Sequence, residues 1–282
     1  MSLRRLNKAE APRLPQNYQW DARSDVLECW AAMPQAAEAD DANTISIFDV
    51  IGEDPLFGGG FTARRMAGAL RSIGNKPVSV RINSPGGDMF EGIAIRNLLA
   101  EHPAKVTVSV IGLAASAASV IAMAGDEIRM GLGTFMMVHN AWGLVIGNRN
   151  DMREAADLFE QFDNALVDIY ADRTGLSRDD IETIMNAETF MGPKEAIDKG
   201  FADQLDESMT ADGEANNALS QEVIAIRRVD AALAKQGFPR SERRTLLREV
   251  KNGTHDAAAS VTHDADGVTA ADFTRLMTAI TP

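Results

Sequence analysis

Residues 78–126 read VSVRINSPGGDMFEGIAIRNLLAEHPAKVTVSVIGLAASAASVIAMAGD, and their pattern decides the fold. Val78, Val80 and Ile82 alternate with polar neighbours, the period of a strand with one buried face. Asn83-Ser84-Pro85-Gly86-Gly87 ends that strand, because proline donates no ladder hydrogen bond and paired glycines favour a turn. Phe90, Ile93, Ala94 and Leu98 then recur at helical spacing. The same order repeats at once: Val106, Val108 and Val110 predict a strand, Gly112 a turn, and the alanine-rich run 116–124 a helix. Consecutive strand–loop–helix units predict a largely parallel sheet with right-handed crossovers.

The flanks extend this pattern. Upstream, Ile45 and Ile47 alternate toward Val50 as a strand ended by Gly52, and 55–60 reads as a glycine-rich loop. Thr62 is placed as the N-cap of a helix through Met66, Leu70 and Ile73, closed by Gly74. Downstream, 128–130 and 134–138 predict short strands. The longest helix is expected over 150–172, where Met152, Ala155, Phe159, Phe162, Leu166 and Ile169 recur at three- and four-residue steps before Gly175. Ser177 with Asp180 forms a capping box for a further helix, and another is expected over 193–199 before Gly200.

Three regions result: a loose, Pro- and Ala-rich lead-in over 1–43, an α/β domain over 44–206, and an extension over 207–282. In the extension, 209–217 has linker composition. Helices are expected over 220–235 and 241–251, with a short last helix capped by Thr269 and Asp272. Few large apolar residues occur there, so a helical or disordered appendage is expected rather than a second core.

Composition narrows the partners. Of the 282 residues 45% are hydrophobic and 24% charged, and the formal net charge is −13. Nucleic-acid binding normally leaves a basic footprint, so no nucleic-acid partner is expected. Cys29 is the single cysteine, which excludes an internal disulfide and a thiolate-built zinc site, and fits a reducing, cytoplasmic setting. The first twenty residues lack the apolar region of a signal peptide. The apolar run 106–123 is rich in Ala, Ser and Gly and bracketed by Lys105 and Asp126, as a buried strand and helix would be, so no membrane partner is expected.

Ligands of an open parallel sheet bind at the carboxyl ends of its strands. Three features are expected at that edge: the turn at Gly86-Gly87, the serine run beginning at Ser116, and His139 at the end of the strand 134–138. His102 falls at the opposite edge, and His255 and His263 lie in the extension. His139 is therefore the available base for a serine nucleophile. A helix start at Ser116 offers backbone N–H groups to a developing oxyanion, whereas if the run is simply a small-residue helix packed on the sheet Ser119 is as good a candidate. A carboxylate should orient His139; Glu188, Asp126 and Asp163 are the candidates.

These motifs, in this order, resemble the signature of ClpP peptidases: 82–87 with Gly92, then 112–116, then 137–140. The runs Ala114 to Ser119 and Ile121 to Asp126, with Glu188-Thr189, are most similar to phage-encoded ClpP-like head maturation proteases, and the similarity covers roughly 44–206. The resemblance implies ClpP/crotonase-type stacked βαβ units and a long "handle" helix at 150–172. It also implies a ring, usually of seven chains, acting on a protein substrate such as a capsid or scaffold protein, and no cofactor or metal. It selects Ser116 as nucleophile and His139 as base. The N–H groups of Gly87 and Ala117 become oxyanion donors, with Gly86 supporting the turn. Glu188 stands where the family has aspartate, one methylene longer, so its backbone must sit slightly farther from the histidine.

Overall fold

The computed structural model describes residues 42–53, 59–143 and 145–208, together with Val26, Trp30 and scattered positions between 226 and 249. Its frame is a parallel sheet in the spatial order β1 (Thr44–Ile47), β2 (Val78–Ser84), β3 (Val106–Ala115), β4 (Glu127–Gly131) and β7 (Gln204–Asp206). Helices α1 (Ala63–Ile73), α2 (Met89–Ala100) and α3 (Ala117–Ala122) make the crossovers between β1 and β4. Thr62 caps α1 by accepting from the Arg65 N–H, and Gly74 ends it at φ 69°. Asp88 caps α2 through the N–H groups of Phe90 and Glu91. Val80, Ile82, Val108, Val110, Ile128 and Met130 are fully buried. Each contributes about 1.5–3 kcal/mol relative to exposure.

β3 is the central strand, and it is longer than expected. Gly112 does not turn the chain; it lies inside β3. Asn83 occupies the space a side chain would fill, since a Cβ on Gly112 would stand 2.5 Å from its Oδ1. That Oδ1 accepts the Leu113 N–H at 3.1 Å, while the register of β2 on β3 shifts between Ile82 and Ser84. Gly112 thus marks a bulge, the other common meaning of a glycine in a strand pattern.

Beyond the bulge β3 changes partner. Its first half pairs with β4; its last residues pair with β5 (Phe135–Val138), with Ala115 opposite Met137. A short strand absent from the expected elements, β6 (Thr189–Met191), runs antiparallel to β5.

The longest helix, α4 (Arg149–Thr174), is capped by an Asn148/Asp151 box and closed by Gly175 in the left-handed conformation. Its buried stripe is Ala155, Leu158, Phe162, Leu166, Val167 and Tyr170; Met152 is exposed. Helix α5 (Arg178–Asn186) starts at Ser177, which accepts from the Asp180 N–H, and α6 (Pro193–Asp198) follows β6. Among the described residues no helix is long and apolar enough to cross a membrane.

Two positions of the expected loose lead-in are packed. Val26 and Trp30 are helical and buried in a cluster with Leu113, Ala115 and Met137, and Trp30 Nε1 donates to the Asn83 carbonyl at 2.9 Å. Between 226 and 249 most of the described positions are helical, Gln236 and Phe238 are not, and Arg243 donates to Asp230 at 2.9 Å. The linker 209–217, most of the loop 55–60 and the helix expected near Thr269 lie outside the described residues.

Candidate active site

Ser116 stands at the junction of β3 and α3 with φ 54° and ψ −125°, a conformation that costs a non-glycine residue about 1–3 kcal/mol. Its surroundings hold it there. The Ser116 N–H donates to the Met137 carbonyl at 2.9 Å, and its carbonyl accepts from Ser119 N–H at 2.9 Å and Val120 N–H at 3.2 Å. Although Ser116 is the N-cap residue, its hydroxyl makes no capping bond. A serine on a sharp strand-to-helix turn presents its Oγ above the sheet, the geometry of a nucleophile elbow. Ser119 differs: it is fully buried, and its Oγ is shared between the Ser116 carbonyl at 2.7 Å and Tyr170 Oη at 2.8 Å. That commitment separates two serines that pattern alone left equal.

The loop after β2 lies directly on this elbow. A Cβ on Gly86 would stand 2.5 Å from the Ala115 carbonyl oxygen and 2.7 Å from Ser116 Cβ, so only glycine permits the approach. Ile51 fixes the loop from the other side. Its N–H donates to the Gly86 carbonyl at 2.8 Å, and its carbonyl accepts from Asp88 N–H at 3.0 Å. The Gly86 C=O and the Gly87 N–H belong to one planar peptide unit and point oppositely, so the Gly87 N–H is directed away from Ile51. Ser84 Oγ braces the turn by donating to the Asp49 carbonyl at 2.6 Å.

His139 follows the last residue of β5 and is buried. Because Ala115 faces Met137 across parallel strands, Ser116 and His139 leave neighbouring strand ends one residue out of step. The structure brings Gly87, Ser116, Ala117 and His139 into the lining of one narrow cleft, with Met89, Val120, Leu166 and Tyr170 supplying apolar wall. His102 lies at the far end of the strands, its Nε2 2.8 Å from the Lys76 carbonyl.

The three candidate acids separate clearly. Asp126 bonds the Val106 N–H at 2.7 Å, at the start of β3 and about 30 Å of strand away from Ser116. Asp163, on α4, accepts the Ala141 N–H at 2.6 Å and so steadies the chain just past His139; burial pushes its carboxyl above the ordinary aspartate range. Glu188 lies immediately before β6, whose Thr189 pairs with Val138, the residue just before His139, so His139 and Glu188 adjoin the same paired end of β5 and β6. Glu188 also holds a left-handed φ of 50°, its N–H donating to the Met185 carbonyl at 3.0 Å. Antiparallel β6, missed by pattern because it is three residues long, is what places Glu188. Glu188 does not line the cleft itself.

The family model described as Clp protease matches residues 68–209. The chain is 34% identical over 130 residues to the ATP-dependent Clp protease proteolytic subunit of Deinococcus radiodurans, covering 45% of this chain and 64% of the relative. It is 32% identical over 131 residues to the subunit of the same description from Nephroselmis olivacea, covering 46% and 63%. The chain thus spans just under two thirds of the length of these curated relatives. A solved ClpP1 point mutant from Listeria monocytogenes shares the fold with a TM-score of 0.50 and 23% identity, covering 59% of this chain and 92% of that one. With half of its length matched by the family model, over the strands and loops that build the cleft, the chain belongs to the Clp protease family.

Proposed function

We propose that the chain is a serine endopeptidase with Ser116 as nucleophile, His139 as general base, and the Gly87 and Ala117 N–H groups as oxyanion donors. The observation that carries this reading is the convergence of these four residues on one cleft from three chain segments, with Ser116 held in a strained elbow. His139 takes the hydroxyl proton as Ser116 Oγ bonds to the scissile carbonyl carbon. The carbonyl electron pair moves onto oxygen, where the two N–H groups meet it. Collapse expels the amine, protonated by His139, and leaves an acyl-serine. Water, deprotonated by His139, then attacks that ester and frees the acid and Ser116. Glu188 is the third member, orienting His139; the pairing of Val138 with Thr189, the residues next to them, supports that role.

The substrate we propose is a protein, and the working form a ring. The finer reading is a phage head maturation protease that processes capsid or scaffold proteins. The runs Ala114 to Ser119 and Ile121 to Asp126 support it, as does an extension running past the family match at residue 209. The description of the relatives favours a second reading, the proteolytic subunit of an ATP-dependent protease. Co-expression with a phage capsid protein as candidate substrate tests both. Under the first reading the wild type shortens the capsid protein and Ser116→Ala leaves it intact. Cleavage that requires an added ATPase would favour the second. Removing 210–282 should spare peptidase activity and abolish packaging into procapsids.

A further inference from the structure

Tyr170 carries a polar group into the core beside the cleft without serving any step above. Its side chain is 1% exposed and its Oη lies 2.8 Å from Ser119 Oγ, which lies 2.7 Å from the Ser116 carbonyl oxygen. Proton counting fixes the direction of this chain. A carbonyl only accepts, and a serine hydroxyl has one hydrogen. Ser119 therefore donates to Ser116, and Tyr170 donates to Ser119. Burial pushes the ionisation of Tyr170 far above its ordinary value, so the phenol stays a donor.

The receiving carbonyl belongs to the peptide unit that joins Ser116 to Ala117. That unit is planar, with its C=O and N–H pointing oppositely. Whatever fixes the Ser116 oxygen also aims the Ala117 N–H, and the three donors on that oxygen come from Ser119 N–H, Ser119 Oγ and Val120 N–H. We propose that Tyr170, through Ser119, is a positioning residue for the oxyanion hole, coupling the inner face of α4 to the direction of the Ala117 N–H. Tyr170 also lines the cleft, so a side chain seated there touches the residue that aims the donor. This rests on the serine-peptidase reading. Preorganised donors act on the transition state more than on the bound substrate, so their loss lowers kcat and leaves KM.

The test is the rate at which a fluorophosphonate labels the full chain, with kcat and KM on a fluorogenic peptide and circular dichroism to count folded protein. Tyr170→Phe and Ser119→Ala should each slow labelling and lower kcat about three- to tenfold, the net worth of one hydrogen bond, with KM and the pH profile unchanged. The double variant should fall no further than Ser119→Ala alone, because the two act in series. Labelling of folded Tyr170→Phe at the wild-type rate would overturn the coupling and spare the peptidase reading. A loss that merely tracks the unfolded fraction would overturn it in favour of a packing role. A wild type that never reacts would sink the peptidase reading, and this one with it.

Discussion

Ser116 and Ser119 are three residues apart in a run of alanines, and nothing in their composition tells them apart. What separates them is tertiary: Met137 on a neighbouring strand takes the Ser116 N–H, while Tyr170, fifty-one residues away, takes up Ser119. His139 was legible because each competing histidine could be placed elsewhere from the coarse pattern. Glu188 was not, since its place depends on a three-residue strand whose partner is set by the bulge in β3. Glu188→Gln keeps the size and loses the charge that steadies an imidazolium, so kcat should drop by about 10²–10⁴ with KM little changed. Asp163→Asn, which can still accept the Ala141 N–H, should fall less than tenfold. Peptide hydrolysis by the two purified variants measures this; the reverse ranking would move the third role to Asp163.

The strand and helix grammar of the core was written in side-chain period and caps: α1 begins after Thr62 and stops at Gly74, and α4 stops at Gly175, each where the pattern places it. Gly112 was misread because its neighbour Asn83 comes from another strand, and a bulge cannot be seen from one strand alone. Trp30 was missed for the same reason, as its buried cluster joins residues more than eighty positions apart. The edge of the sheet carries an acid-sensitive clasp. Glu127 bonds Arg129 at 2.7 Å, Lys105 at 2.5 Å and Gln204, drawing the starts of β3, β4 and β7 together. Arg129 first, then Lys105, lower its pKa from 4.5 to about 2. A depressed carboxyl binds fewer protons in the folded state, so its contribution is full above pH 4.5 and lost as the pH falls toward 2. Glu127→Gln should lower Tm at pH 7 and converge with the wild type near pH 2, as thermal melts across that range would show. A constant gap at every pH would contradict the linkage.

Among the described residues, large apolar side chains remain exposed: Trp142 at the cleft, Met152 on α4, Ile146 just before it, Phe190 in β6 and, at 71% exposure, Leu132 between β4 and β5. Surfaces of this kind mark contacts between chains. Light scattering at micromolar concentration should return a multiple of the 30.4 kDa chain mass, with sevenfold expected for a single ring; a monomer would contradict the ring. The chemistry rests on one hydroxyl raised on a strained turn and one histidine at the neighbouring strand end. Fluorophosphonate labelling followed by peptide mapping should give a single adduct on Ser116 that disappears in Ser116→Ala and forms at least a hundredfold more slowly in His139→Ala. An adduct on Ser119, or undiminished labelling of Ser116→Ala, would contradict it.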